Sequence, residues 1–318
     1  MTDTDTDTET DTETDTAPRK SSAAPVEPAP TLGQRAEAAA ARALYGALGL
    51  LPVDTASGLM GRLLRMVGPL IPVSRVGRDN LARAFPEKTS AEREAILRGM
   101  WENLGRIAGE YPHVHKAGFL RRRMTVNGVD TLEAMRDDGI GGLFFSAHVG
   151  NWEVSSYAAT AADLPLHRFY RAANNPLIEA TLYQRGRSGM QGELLPKGRK
   201  GAARALGLLK RGGHVAIMVD QKQNEGIPVP FFGRDAMTTP AVAEFALRLK
   251  LPVIPTRTVR LGGARFRVDV GPPLDVTPTG DHRADVAALT ARITQVVEGW
   301  VREHPDQWLW VHRRWPKD

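Results

Sequence analysis

The run Gly142-Leu-Phe-Phe-Ser-Ala147 is apolar at nearly every position, shows no alternation with polar residues, and stops abruptly at His148. Such a strand is buried on both faces, which requires a sheet with helices packed above and below it. Runs of similar character at 166–170, 194–195, 214–219, 253–259 and 266–270 read as further strands. Helical spacing falls between them at 152–161, 176–186, 201–210 and 240–249. This alternation predicts an α/β fold with a mixed, largely parallel sheet flanked by helices. Two long helices complete it. One spans 90–110, with Ile96, Met100, Leu104 and Ile107 on one face; the other spans 283–303, where Val286, Leu289, Ile293, Val297 and Trp300 form a core-facing stripe.

His148 therefore stands at the C-terminal tip of a buried strand, the edge where open α/β sheets place their chemistry. Gly150 and Asn151 read as the turn into the next helix, and Glu153 falls in its first turn, where the helix dipole favours a carboxylate. Glu153 is expected to hold the imidazole tautomer whose other nitrogen removes a proton. A polar strand end followed by an ordinary first-turn acid is the plainer alternative.

Three other stretches are chosen for more than packing. At Arg168-Phe-Tyr170-Arg171-Ala-Ala-Asn174-Asn175-Pro176 a strand ends in arginine before a polar turn, so Arg171 is placed either to clamp an anion or to sit in solvent. Val219-Asp220-Gln221 discharges a buried strand into a polar run, and Leu251-Pro-Val-Ile-Pro255 begins a strand between two prolines.

Several chemistries drop out. The chain has no cysteine, which removes disulfides, thiolate nucleophiles and thiolate metal sites. No glycine-rich phosphate loop follows a strand: Gly141-Gly142 precedes one, and Lys197-Gly198-Arg199-Lys200-Gly201 has neither Walker nor dinucleotide spacing. The eight histidines are scattered, and the one close pair, His113 and His115, has no third ligand nearby, so no metal is expected. A Gly-x-Ser-x-Gly elbow, as a lipid hydrolase of the α/β type would carry, does not occur.

Residues 1–16 alternate threonine with seven acids, and the following stretch to residue 30 is rich in Pro, Ala and Ser, so residues 1–30 are expected to stay disordered. Without those seven acids, 42 basic residues face 29 acidic ones, and the remaining body is strongly basic. Nucleic acid, an anionic membrane surface and an acidic protein are its ordinary partners. Residues 31–73 favour the membrane. Apolar residues run from Ala43 to Val53, break at Asp54 and resume from Ser57 to Val73 with Arg62 and Arg65 among them. Neither half supplies the roughly 20 uninterrupted apolar residues of a spanning helix. Two helices, 35–51 and 55–67, either lie on a membrane surface or pack on the core, and a single tilted span over 43–61 is the third arrangement.

Taken in order, these stretches resemble the four sequence blocks of the glycerolipid and lysophospholipid acyltransferase superfamily, most closely its lipid A biosynthesis branch. His148-Val-Gly-Asn-Trp-Glu153 is similar to the histidine block; Tyr170-Arg171 with Asn174-Asn175-Pro176 to the second; Asp220-Gln221 through Pro230-Phe-Phe-Gly233 and Thr238-Thr239-Pro240 to the third; and Leu251 to Pro255 to the fourth. Asn80-Leu-Ala-Arg-Ala-Phe-Pro86 and the C-terminal Pro305-Asp-Gln-Trp308-Leu-Trp310-Val-His-Arg313-Arg314-Trp315 also resemble blocks of that branch. The resemblance runs from about residue 35 to the end and does not account for the acidic tail.

What it implies is a single acyltransferase domain over 74–318, a membrane-anchoring segment over 31–73, and the late lauroyl or myristoyl transfer to the Kdo-bearing lipid A precursor. His148 would act as general base with Glu153. Arg171 would hold an acceptor phosphate, with Asn174 and Asn175 among the substrate-binding residues, and Asp220 with Gln221 would shape the acceptor or donor site. From its place at a helix start rather than from the resemblance, the stretch Gly150-Asn151-Trp152 is expected to offer backbone N–H groups as part of the oxyanion site. No cofactor beyond the acyl thioester co-substrate is implied. The implied partners are acyl carrier protein, the glycolipid acceptor and inner-membrane lipids rather than nucleic acid, at the cytoplasmic face of the inner membrane. A phosphatidylinositol mannoside acyltransferase fits the same blocks with another acceptor. A non-enzymatic binder of membranes or nucleic acid would account for the charge alone.

Overall fold

The computed structural model describes residues 30–116, 118–183 and 190–316, so the acidic tail and the end of the helix expected over 176–186 lie outside the described residues. Helix α1 (Leu32–Leu50) starts at a capping box in which Thr31 and Gln34 satisfy each other's backbone N–H. Leu51 turns extended ahead of Pro52, and α2 (Val53–Val67) begins there, which removes a continuous span over 43–61. Among the described residues no helix is long and apolar enough to cross a membrane.

After a short 3-10 turn come α3 (Ser74–Ala84) and α4 (Ser90–Glu110), the latter opened by a second capping box, Thr89 with Glu92. The α/β body then alternates: α5 (Phe119–Arg123), β1 (Met124–Asn127), α6 (Val129–Asp137), β2 (Gly142–Ser146), α7 (Ser155–Ala161), β3 (Leu166–Tyr170), α8 (Pro176–Ile178) and β4 (Leu194–Pro196). It continues through α9 (Arg199–Leu209), β5 (His214–Met218), the hairpin β6 (Ile227–Phe231) and β7 (Arg234–Thr238), α10 (Ala241–Leu249), β8 (Val253–Gly262), β9 (Arg265–Val270) and α11 (His282–Glu303).

Seven strands form one sheet in the order β1-β9-β8-β2-β5-β3-β4, parallel throughout except for the β8–β9 pair. β2 lies near the centre and is buried at every position. Its residues alternate between two cores. Leu143 and Phe145 join Val215, Val253 and the inner face of α11, whereas Phe144 joins Ile254, Phe266 and Val154 on the other side.

Three strands, β1 and the hairpin pair β6 and β7, lie outside the expected set. β1 follows Arg121-Arg122-Arg123 too closely to show as an apolar run, with only Met124 and Val126 facing inward. β6 carries Pro228 and Pro230; both are exposed, alternate with buried Val229 and Phe231, and lie in a two-stranded hairpin, where an edge strand tolerates proline.

α2 packs against α4 at backbone contact distance. A Cβ placed on Gly105 would lie 2.2 Å from the Met60 carbonyl oxygen, and one on Gly109 would lie 2.4 Å from that of Ala56. The outer face of this N-terminal unit leaves Leu59, Leu63, Met66, Leu70 and Ile71 exposed. Gly109→Ala is expected to destabilise the fold by about 1–3 kcal/mol through overpacking. Gly58→Ala on α2, where an added Cβ meets nothing within 4 Å, is expected to be neutral or stabilising by up to about 1 kcal/mol. Denaturant unfolding of the two variants beside wild type checks both signs.

Candidate active site

Strands β2 and β5 are parallel neighbours with Ser146 opposite Met218, and the Val219 N–H donates to the Ser146 carbonyl at 3.0 Å. Two residues past each of those partners stand His148 and Asp220, so strand register alone brings them face to face. His148 Nδ1 lies 2.8 Å from Asp220 Oδ1, and the His148 backbone N–H donates to Oδ2 at 2.8 Å. The Trp308 indole N–H donates to the same Oδ2, also at 2.8 Å.

The Asp220 side chain is wholly buried. Burial by itself would raise its pKa, but the His148 imidazole, its two hydrogen bonds and nearby His312 outweigh that and hold the carboxyl well below the usual range. An ionised carboxylate only accepts, so Nδ1 of His148 carries a proton, and in the neutral imidazole the lone pair is on Nε2. Nε2 has no hydrogen-bond partner among the described residues, and the side chain is 16% exposed. The imidazole packs edge-on to Trp152, with ring centroids 5.1 Å apart.

The C-terminal block closes the site from behind. Val149 and Trp308 form an antiparallel bridge, the Leu309 N–H donates to the His148 carbonyl at 3.1 Å, and the Gly150 N–H donates to the Gln307 carbonyl at 3.1 Å. Asn80 secures that block by donating to the Trp310 and His312 carbonyls, each at 2.7 Å. His312 Nε2 lies 3.3 Å from the Asp220 carbonyl, and burial pushes its imidazole pKa down. Arg314 lies over the Phe231 ring and donates to Thr238 Oγ1 at 2.7 Å; burial lowers its pKa to about 10.

The expected orienting acid is not the one found. Glu153 makes no hydrogen bond or ion pair among the described residues; it lies in the 3-10 turn Trp152–Val154, and its charge acts on Tyr157, whose pKa is raised to about 12 by burial and then by Glu153. The chain swings away from the imidazole at Gly150, whose φ of 61° and backbone contact with Thr258 exclude a side chain. Asp220, expected to shape a substrate site, takes the orienting place instead. The Gly150 N–H is bonded to the Gln307 carbonyl and so is not open to an oxyanion, and the Asn151 side-chain amide donates to Glu110 Oε2 at 2.9 Å.

Arg171 directly follows β3, which is parallel to β5, so it belongs to the same sheet edge as the histidine and the aspartate. It is exposed, and its one hydrogen bond among the described residues is to Asn174 Oδ1 at 3.4 Å. Both residues line an open depression with Glu37, Ala172 and Ile178. Asn175 is a structural pin rather than a free ligand: it caps α8 and donates to the Gln34 carbonyl at 2.8 Å and to Glu37 Oε2 at 2.9 Å, tying α1 to this turn. Gln221 is half-buried, with no side-chain hydrogen bond among the described residues. Nor do three or more His, Asp or Glu side chains among them gather in a way that could hold a metal ion.

Trp308, His312 and Arg314 lie in the C-terminal block without any role assigned to them from sequence; their proximity to Asp220 becomes visible only when that segment is seen paired with the loop after β2.

A family described as bacterial lipid A biosynthesis acyltransferase matches residues 35–317. The chain is 25% identical over 248 residues to a lipid A biosynthesis palmitoleoyltransferase of Escherichia coli, covering 75% of this chain and 77% of that one. It is 22% identical over 276 residues to the lipid A biosynthesis myristoyltransferase of the same organism, covering 85% and 83%. A phosphatidylinositol mannoside acyltransferase of Mycobacterium tuberculosis is 25% identical over 252 residues, covering 76% and 77%. The crystal structure of a 1-acyl-sn-glycerophosphate acyltransferase from Thermotoga maritima is a weaker likeness, with a TM-score of 0.37 at 12% identity over 80% of this chain and 99% of that one.

Because the folded pKa of Asp220 lies below that of an unfolded aspartate, about 3.9, its charge contributes stability fully above that value and loses it as pH falls through the folded pKa. The stability advantage of wild type over Asp220→Asn is therefore expected to be present at neutral pH and to shrink below about pH 4. Unfolding free energies of both proteins across the acid range measure it.

Proposed function

This chain belongs to the bacterial lipid A biosynthesis acyltransferase family, and we propose that it moves a fatty acyl group from an acyl thioester to a hydroxyl of a lipid A precursor, with His148 as general base and Asp220 as its orienting acid. The observation that carries this reading is the 2.8 Å pairing of His148 Nδ1 with a buried carboxylate, which leaves Nε2 basic at the edge of a parallel sheet.

A thioester is already activated, so the reaction needs an alcohol deprotonated and aligned with the carbonyl. Nε2 takes the proton of the acceptor hydroxyl as its oxygen attacks the thioester carbonyl. The tetrahedral oxyanion then collapses, the C–S bond breaks, and the departing thiolate takes the proton back from the imidazolium, giving ester and thiol. Asp220 stabilises the imidazolium in between. No acyl-enzyme forms, in keeping with a chain that has no cysteine.

Arg171, exposed and without a carboxylate partner among the described residues, is assigned to an acceptor phosphate. Asn174 and Gln221 flank the acceptor. Glu153, unengaged on the turn after the histidine, keeps its carboxylate for the substrate rather than for the imidazole. The donor is acyl carrier protein, whose acidity suits the basic body. The exposed Leu59, Leu63, Met66, Leu70 and Ile71, with Arg62 and Arg65 beside them, support a reading in which the N-terminal unit docks on the cytoplasmic surface of the inner membrane. The mannoside acyltransferase among the relatives favours one second reading, with the same chemistry on a phosphatidylinositol mannoside.

The test is mass-resolved acyl transfer from acyl carrier protein thioesters of several lengths to tetra-acylated, Kdo-bearing lipid A precursor, with phosphatidylinositol mannoside as a second acceptor. One acyl chain added to the first acceptor, with kcat lowered about 10²–10⁴-fold in His148→Ala, is expected. Transfer to the mannoside alone would move the assignment to that acceptor. No transfer to either from folded protein would overturn the reading.

A further inference from the structure

Glu110, the last residue of α4, has a side chain with no exposed surface, and Arg260 reaches it from β8 with only 7% of its own exposed. Arg260 Nη1 and Nη2 bind the two Glu110 oxygens in bidentate fashion, the Nη2 to Oε2 distance being 3.0 Å. The remaining capacity of the carboxylate is filled by Ser57 Oγ at 2.7 Å and Asn151 Nδ2 at 2.9 Å. The guanidinium is equally committed: Nε donates to Asn103 Oδ1 at 2.8 Å, Nη1 to the Gly263 carbonyl at 2.8 Å, and its plane lies over the Phe266 ring.

Desolvating two charges is costly, and well-packed apolar residues of similar volume commonly stabilise a core as well as a buried ion pair does. What an apolar pair cannot do is direct hydrogen bonds. Here those bonds end on the two segments that carry the dyad. Asn103 Nδ2 donates to the Gly150 carbonyl at 2.9 Å and to the Gln307 carbonyl at 3.2 Å, and Glu110 fixes the side chain of Asn151. Gln307 is held again from its side chain, which accepts from the Arg260 N–H at 2.9 Å and donates to the Arg260 carbonyl at 3.1 Å. Gly150 and Asn151 follow His148 by two and three residues, and Gln307 precedes Trp308, the indole donor to Asp220.

We infer that Glu110 and Arg260 are positioning residues, a buried ion pair that sets the His148 loop and the Trp308 segment in mutual register and so holds His148 against Asp220. Neither residue touches substrate. The inference rests on the acyl-transfer reading of the dyad, and Ser57 extends the same network to α2, the helix that carries the exposed apolar face.

The test uses the full chain with 15N-labelled histidine, comparing wild type with the double variant Glu110→Leu/Arg260→Met. Three quantities are read: the Nδ1 proton signal of His148, assigned by its loss in His148→Ala; kcat and KM for acyl transfer; and the unfolding midpoint. The double variant is expected to fold, to lose about 10- to 100-fold in kcat with KM changed less than about two-fold, and to show the His148 proton signal shifted or broadened. Should the double variant not fold, Asn103→Ser reads the same link, since it removes the bridge from the Arg260 guanidinium to the Gly150 and Gln307 carbonyls while leaving the ion pair intact. A folded variant with unchanged kcat and unchanged proton signal overturns the inference, as does a lowered kcat with an unchanged signal. If wild type transfers no acyl group, the acyl-transfer reading fails and the proton signal alone decides whether the ion pair positions the dyad.

Discussion

Everything at the candidate site depends on one buried negative charge. The Asp220 carboxylate has no access to water, and it is tolerable there because three donors converge on it: the imidazole and backbone N–H of His148 and the indole of Trp308. Those donors come from stretches 72 and 88 residues distant in the chain. The strand order, the antiparallel bridge between Val149 and Trp308, and the grip of Asn80 on the C-terminal block all work to keep them in place. In return the charge holds a proton on Nδ1 and sets the orientation of the imidazole.

The site illustrates how parallel sheets collect function at one edge. β2, β3 and β5 run the same way, so the residues just beyond their ends, His148, Arg171 and Asp220, share that edge although they are dispersed in sequence. The N-terminal helices are joined to it from two directions: Asn175 ties α1 to the turn after β3, and Ser57 ties α2 to Glu110. Under the proposed membrane docking, the N-terminal helices are therefore bonded directly to the turn proposed to hold the acceptor and to the network behind the histidine.

The strands that were legible in the sequence are those whose burial leaves a strong apolar trace. β3 occupies 166–170 as expected, and α4 has the expected bounds because its capping box and the proline beyond its end mark both termini. β1 and the proline-bearing β6 left no such trace: one has two inward residues and the other is an exposed-edge hairpin. His148 was legible from its position at the end of an apolar run. Its partner was not, because sequence proximity pointed to Glu153 while the decisive fact is that β5 inserts between β2 and β3, an order no local pattern encodes. Polar residues in a turn look alike in sequence whether they face a ligand or pin the backbone from within, and the inward side-chain bonds of Asn151 and Asn175 are visible only in the fold.

The most direct test of this account is a side-by-side measurement of kcat for Asp220→Asn and Glu153→Gln with saturating donor and acceptor. The pairing of His148 with Asp220 predicts that Asp220→Asn loses about 10³–10⁴-fold, the effect of presenting the wrong imidazole tautomer, while Glu153→Gln loses far less. A larger loss in Glu153→Gln, with Asp220→Asn folded and close to wild type in turnover, would contradict it and return the orienting role to Glu153.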